Sequence, residues 1–328
     1  MRAVANRDQV LIPAALPRAF DGASPALATI VINHRDHRLG PTERLRYRSM
    51  TASARRPEGI DPSTRLRSVP LALWPDWSIR LRPPTIPPYT FRVAAAAALC
   101  VPGSTRPIQS IYDHWPGPRN RRRMVTFGRL ITADPHGTAI LAALCAIAEI
   151  LDRDGAPIDY ERRRQLAEET ELLDSRAWKV ICRAGGTPAG SQPKLTHARM
   201  WLWETLTGGL PRQAPSLSES CPAFLSRHSR FALDLPATTV RHLNEHARRL
   251  LDTHGCHHEP LTWSPATNGI PVDCLPGPDP DEIDPDRVHA ANSAQPARQQ
   301  AASQLGITVE HLHHIVRKHP SKTYDSVT

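Results

Sequence analysis

Hydrophobic side chains recur every three or four residues in several segments after residue 67, and capping residues or prolines mark where most of these segments begin. The longest segment follows Asp134 and Pro135, reaches about Asp152 and is apolar on nearly every side. A helix of that kind belongs in the middle of a bundle. Further helices are predicted for FRVAAAAALC after an N-cap at Thr90, after Asp159, after Asp174, from Pro193 to Thr207, and in the stretch after Leu233 that ends at Gly255.

A second pattern lies near the C-terminus, where a turn residue separates two short apolar segments. A helix-turn-helix needs a glycine in its turn and a small side chain four residues earlier, which Gly306 and Ala302 provide. The predicted caps and helix ends are Asp284 and Pro285 for a supporting helix, Pro296 for the first helix, and Thr308 and Pro320 for the second. The predicted core contains Val288, Ala301, Leu305, Ile307, Leu312 and Ile315.

Composition supports a helical chain with many loops. The 33 prolines interrupt it often, and aromatic residues make up only 5% of it, which disfavours a large β-sandwich. Trp74 and Trp77 are predicted to anchor the segment VPLALWPDWSIRL on a neighbouring core. The fold class is therefore predicted to be all-α, with a multi-helix bundle followed by a small three-helix domain.

The same patterns divide the chain into five parts. The predicted parts are a disordered or irregular leader (1–66), a helical bundle (67–258), a proline-rich linker (259–280), a helix-turn-helix domain (281–320) and a tail (321–328). No apolar run approaches the roughly 18 residues of a membrane span, and the first residues lack the core of a signal peptide. A cytoplasmic location and no membrane partner are predicted.

The net charge of +9 favours an anionic partner, although a high arginine content can also reflect nothing more than codon composition. The six cysteines contain no Cys-x-x-Cys pair, and the cluster of His254, Cys256, His257 and His258 lacks ligands from elsewhere. The sequence thus predicts no metal and no cofactor. It also contains no P-loop, dinucleotide-binding or nucleophile-elbow motif, so the protein is not predicted to be an enzyme.

Double-stranded DNA is the predicted partner, and the second helix of the C-terminal pair is its predicted reader. Thr308, Glu310, His313, His314 and Arg317 are expected to face the major groove, with Lys318 near a phosphate. Because protonated histidines bind phosphate better than neutral ones, mild acid is expected to tighten binding. A helical domain that binds another protein would show the same pattern and is the alternative.

Contacts to the DNA backbone are predicted farther upstream. The candidates are the consecutive Arg162, Arg163 and Arg164, together with Lys194 beside the glycine-rich loop 185–193. For the two helices joined by this loop, ordinary bundle helices with a solvated face are the alternative, and the spacing alone favours that alternative.

Four segments resemble a known family. They are VPLALWPDWSIRL (69–81), IDYERRR (158–164), W-x-x-I-C-R-x-x-G-T-P-x-G (178–190) and A-R-x-W-L-x-E-x-L-T-G (198–208). Together they resemble the C-terminal portion of actinobacterial TniQ-like proteins, which are linked to target-site selection in transposition. Such proteins carry zinc-binding cysteine pairs in an N-terminal region that this chain lacks. The resemblance implies an accessory or target-recognition factor of a mobile element, with transposition proteins as partners.

Two other functions stay open. A transcriptional regulator would use the same helix-turn-helix and residues 86–255 for oligomerisation. A tyrosine recombinase would use His246, Arg249 and Tyr324, but an amphipathic helix and a polar tail account for these residues without catalysis.

Overall fold

The computed structural model describes residues 45, 65–102, 115, 121–214, 222–231, 234–266, 270, 272, 274–295 and 297–319. Across these residues the regular secondary structure is helical and no strand occurs, as the sequence predicts. None of the described helices combines the length and the hydrophobicity needed to cross a bilayer. The predicted tail lies outside the described residues, as does the leader apart from Leu45, Arg65 and Leu66.

The helices are short, as the frequent prolines and glycines require. They are α1 (Pro75–Leu81), α2 (Pro88–Ala98), α3 (Arg121–Ala133), α4 (Gly137–Asp154), α5 (Tyr160–Glu169), α6 (Ser175–Ala184), α7 (Gln192–Thr207), α8 (Pro222–Phe231), α9 (Ala237–Thr253), α10 (Pro285–Ala294), α11 (Arg298–Leu305) and α12 (Val309–Lys318). A 3₁₀ helix, Pro211–Gln213, follows α7.

The described residues form two compact units that exchange segments along the sequence. Unit one contains described residues up to Leu73, Leu81–Ala156 and Pro265–Pro276. Unit two contains Trp74–Arg80, Pro157–Ser264 and the described residues from Gly277 onward. Unit two thus takes residues from the predicted bundle, the linker and the C-terminal domain, and the predicted domain boundaries themselves stay predictions.

Unit one is built around α3, which packs against α2 and α4. The Arg65 side chain closes one side of this unit. Its Nε and Nη2 donate to the two carboxylate oxygens of Asp152 at 3.0 and 2.6 Å, and its Nη1 donates to the carbonyls of Leu99 and Pro102. Carbonyls after a helix end lack partners within the helix, so this guanidinium satisfies them while it anchors α4.

Two predicted helix starts in unit one were wrong. The helix predicted to begin after Thr90 begins at Pro88, with Pro87 in the N-cap position. The helix predicted to begin after Asp134 begins at Gly137, because Asp134 forms the turn after α3 and accepts from the backbone N of His136. A Cβ at Gly137 would lie 1.9 Å from the carbonyl oxygen of Ile131, so glycine permits this tight connection.

Unit two is organised on α7, which packs against α5, α6, α8 and α9. Its side chains are buried along most of its length, including Leu195, Trp201, Leu202 and Leu206. The predicted anchoring of the α1 segment is confirmed, because Trp74 and Trp77 are buried. Trp74 Nε1 donates to the hydroxyl oxygen of Tyr160 at 3.1 Å, and burial raises the pKa of Tyr160 to about 12.

The three C-terminal helices, α10 to α12, pack on one another within unit two. Their shared core contains Val288, Ala291, Ala301, Ala302, Leu312 and Ile315, with Leu305 and Ile307 packed against it. Gly306 ends α11 with φ of 69°, the left-handed conformation predicted for the turn. Asp284 and Thr308 cap α10 and α12 as predicted, whereas Pro296 and Pro320 lie outside the described residues.

Candidate nucleic-acid interface

The predicted DNA-reading residues lie on α12, but most of them face other helices of unit two. Thr308 is exposed and accepts from the backbone N of His311 at 3.1 Å, so it acts as the helix cap. Glu310 Oε1 accepts from the hydroxyl of Ser78 in α1 at 2.9 Å. Arg317 Nη1 lies 3.7 Å from Glu204 Oε2 in α7. We call Glu310, His313, His314 and Arg317 the outer face of α12.

The two histidines of the outer face are half-buried, whereas the sequence predicted that they face the major groove. Burial, followed by the charge of Arg317, lowers the pKa of His313 to about 4. Burial also lowers the pKa of His314 to about 4, although Asp76 opposes that shift. Both rings therefore stay neutral in mild acid in this arrangement, and the expectation that such acid charges them does not hold while they are buried.

Lys318 is more accessible than these histidines. Its side chain is 43% exposed, and its Nζ lies 2.5 Å from Asp281 Oδ1. An exposed ion pair of this kind contributes little to stability, so a phosphate can replace the carboxylate at small cost.

The three consecutive arginines differ in exposure, and the prediction that they contact the DNA backbone was wrong for two of them. Arg163 is fully buried: its Nε donates to Glu259 Oε2 at 2.8 Å, and its Nη1 and Nη2 donate to the carbonyls of Leu261 and Pro260. Arg164 is buried as well. Neither can reach a DNA phosphate, so both are removed from the candidate interface. Arg162 is 47% exposed and pairs with Glu259 Oε1.

A basic surface that the sequence analysis missed lies on α6. Arg176, Lys179 and Arg183 are all exposed, and at 100° per residue they fall within about 60° of one another around the helix. We call these three residues the basic face of α6. Trp178, Ile181 and Cys182 occupy the buried side. The sequence signal for this surface is the spacing of the three basic residues at i, i+3 and i+7, on the side of the helix opposite its apolar residues.

The charges on this face are uncompensated. The helix SRAWKVICRA contains no acidic residue. Among the described residues, no ion pair or side-chain hydrogen bond involves Arg176, Lys179 or Arg183. Val180 lies beside them, about 40° from Arg176 around the helix, and is 59% exposed; it is the exposed large hydrophobic residue of the described part of the chain. A surface of this composition is suited to a polyanion that also offers apolar groups.

The loop after α6 is held rigidly against the helix. Trp178 Nε1 donates to the carbonyl of Ala189 at 2.9 Å, and the backbone N of Thr187 donates to the carbonyl of Cys182 at 2.8 Å. Lys194, a predicted backbone ligand, donates to the carbonyl of Pro188 at 2.8 Å. The loop therefore presents a fixed continuation of the α6 surface.

Contact with α9 fixes the orientation of α6. The hydroxyls of Thr238 and Thr239 both donate to the carbonyl of Gly185, which follows the last residue of α6. A Cβ at Gly185 would lie 2.3 Å from Thr239 Oγ1 and 2.7 Å from its Cα. Glycine at this position allows the two helices to approach, and α6 is left with its basic face outward.

Residues considered for other chemistry have structural partners. His246 bonds through Nε2 to the carbonyl of Leu172, and Tyr324 lies outside the described residues. His254 bonds to the carbonyl of Leu250 and to the hydroxyl of Thr170. In the parts of the chain that the structure describes, no three His, Cys, Asp or Glu side chains are placed to hold a metal ion.

Comparisons of the chain with family models, with curated proteins and with solved structures found no match.

Proposed function

We propose that this protein binds double-stranded DNA and that the basic face of α6 makes its main contacts with the phosphate backbone. The observation that carries the proposal is the uncompensated charge of Arg176, Lys179 and Arg183 on one exposed helix face. Elsewhere in unit two, basic side chains such as Arg163, Arg199 and Arg298 already pair with carboxylates.

Counterion release provides the driving force. Each phosphate that a lysine or arginine neutralises releases condensed cations from the duplex, so binding weakens as salt concentration rises. A cation already paired with a carboxylate gains less, because it must first break that pair. The three side chains of α6 have no such pair among the described residues, and Lys194 and Lys318 can add contacts at small cost.

The first prediction concerns the triple variant Arg176→Gln, Lys179→Gln, Arg183→Gln. With about 0.9 counterions released per phosphate, the slope of log K against log salt should become less steep by about 3, and affinity at 0.1 M salt should fall about 100-fold. Fluorescence anisotropy with a labelled 20-base-pair duplex at several salt concentrations measures both quantities. The free energy of unfolding, measured by thermal unfolding, should change by less than about 0.5 kcal/mol, because all three side chains are exposed.

The matched control is Arg129→Gln, Arg249→Gln, Arg287→Gln, which removes the same charge from exposed positions on three separate helices. It should retain most of the salt dependence. Equal losses in the two triple variants would mean that net charge alone drives binding, and absence of wild-type binding at low salt would reject the DNA proposal.

A role in transposition is a narrower proposal that rests on the resemblance to TniQ-like proteins. It requires a protein partner as well as DNA. Co-purification with a transposase or transposition ATPase encoded beside the gene would support it, and a location beside a regulated metabolic operon would favour a transcriptional regulator instead.

A further inference from the structure

We propose that the outer face of α12 is a second, sequence-reading DNA surface that α1 and α7 partly cover in this arrangement, with Arg317 still 39% exposed, so that the protein is autoinhibited for base-specific recognition. The inference rests on the proposed DNA-binding function and adds a closed and an open form to it. Two contacts close the face: the Ser78 hydroxyl donates to Glu310, and Arg317 lies near Glu204.

The covered face has the composition of a reading surface rather than of a core. A glutamate, two histidines and an arginine point away from the apolar side of α12, which Leu312 and Ile315 form. Arg317 suits guanine, and Glu310 can accept from cytosine. The left-handed turn at Gly306 and the cap at Thr308 are features that the two helices of a helix-turn-helix share.

The cover is held weakly. Its charged contact, Arg317 to Glu204, is long at 3.7 Å, and the Glu204 carboxylate also binds the His228 ring. The Nε2 atoms of His313 and His314 are buried, and neither has a hydrogen-bond partner among the described residues. Burying a polar atom without a partner costs free energy, so both histidines oppose closure.

Opening does not require the C-terminal helices to unfold. The core shared by α10, α11 and α12 lies on the other side of α12. The segment leading into α10 stays attached to α1, because Gly277 N donates to the Arg80 carbonyl at 2.9 Å and Arg80 pairs with Asp279 at 2.5 Å. The three helices can therefore move as a group about residues 277–279, and the Arg298 to Asp234 pair is one of the contacts that must break.

The test uses the full chain with Ser78→Ala and Glu204→Gln, singly and together. These substitutions remove the two closing contacts without adding bulk, although Glu204→Gln also replaces the carboxylate that binds the His228 ring. Duplexes selected from a random pool by the double variant should bind it at least 10-fold more tightly than random duplexes do, whereas the wild type should show less than a twofold difference. Hydrogen exchange in residues 309–318 should rise in the double variant.

The control is Glu171→Gln, which breaks the Arg199 to Glu171 pair elsewhere in unit two and should leave the ratio of selected to random affinity unchanged. Adding Arg317→Ala to the opened variant should return the ratio to about one. If the opened variants gain no preference, with or without faster exchange, the inference is overturned. Salt-dependent binding that the α6 variant loses would still support the proposed function in that case.

Acid provides an independent route to the open form. The charges that shift the pKa of His313 come from Arg317, Arg298 and Arg230. Those that shift the pKa of His314 come from Asp76, Lys318, His311 and Asp281. Because closure lowers the pKa of both rings to about 4, protonation favours the open form, in which the pKa returns towards about 6.5. The closed form keeps its full stability relative to the open form above pH 6.5 and loses that stability as the pH falls towards 4.

At pH 5.5 the equilibrium should shift towards the open form by about tenfold per histidine. The ratio of selected to random duplex affinity of the wild type, compared at pH 7.5 and 5.5, measures this shift. His313→Gln, His314→Gln should abolish it, and a shift that survives in that variant would contradict the role of the histidines.

Discussion

Arg163→Met should lower the free energy of unfolding of unit two by about 3–5 kcal/mol, the largest effect expected of a single substitution that keeps the side-chain volume. The Arg163 side chain is fully buried and makes three contacts, to Glu259 and to the carbonyls of Leu261 and Pro260. Its removal leaves two carbonyls without their donor and leaves the Glu259 carboxylate, only 7% exposed, with Arg162 as the cation that still pairs with it. Urea unfolding followed by tryptophan fluorescence reports on unit two, since Trp115 alone of the 7 tryptophans belongs to unit one.

Arg162→Met is the matched control. Arg162 precedes Arg163, bears the same charge and bonds the same carboxylate, but it is 47% exposed. Its loss should cost less than about 1 kcal/mol. A second variant, Arg163→Met with Glu259→Gln, should recover part of the loss because no charge stays buried. Equal effects of the two single arginine variants would contradict the assignment of Arg163 as a structural residue.

Features set by a few neighbouring residues could be predicted from the sequence. The caps Asp159, Asp174, Asp284 and Thr308 each accept from the backbone N two or three residues ahead, a relation that lies entirely within one helical turn. The left-handed turn at Gly306 and the core of the last three helices follow equally from local spacing. The all-α class rests on the same kind of signal.

Features set by distant residues could not be predicted. Arg163 is buried because Glu259 comes from 96 positions away, and three consecutive arginines give no sign of which one will be enclosed. The outer face of α12 is covered because Ser78, 232 positions earlier, bonds Glu310. Helical periodicity shows which side of a helix is polar, but it does not show whether another element packs on that side.

The basic face of α6 is an intermediate case. Its spacing is local and was readable, whereas its freedom from ion pairs depends on what the rest of the fold places nearby. Helix α8 was missed for a different reason: it begins at a proline after a segment without sustained periodicity, so neither a cap nor an apolar repeat marks its start.

Trp178→Ala should lower the free energy of unfolding by about 3–5 kcal/mol, whereas Trp178→Phe should lower it by about 1 kcal/mol. Trp178 is buried beneath α6, its ring centroid lies 6.2 Å from that of Phe231, and its Nε1 donates to the carbonyl of Ala189. Phenylalanine keeps most of the packing and loses the hydrogen bond that holds the loop. Urea unfolding followed by circular dichroism separates the two effects.

The Trp178→Phe variant also tests which part of the surface contacts DNA. In Trp178→Phe the cations Arg176, Lys179 and Arg183 stay on an intact helix, while the loop 185–190 loses its bond from Trp178 and keeps that of Thr187 N to the Cys182 carbonyl. If the basic face makes the phosphate contacts, this variant should keep the wild-type slope of log K against log salt and lose less than about threefold in affinity. A slope reduced by about 3 would contradict this assignment: the loop contains no lysine or arginine, so such a change would mean that the contacts of the three cations depend on how the loop is anchored.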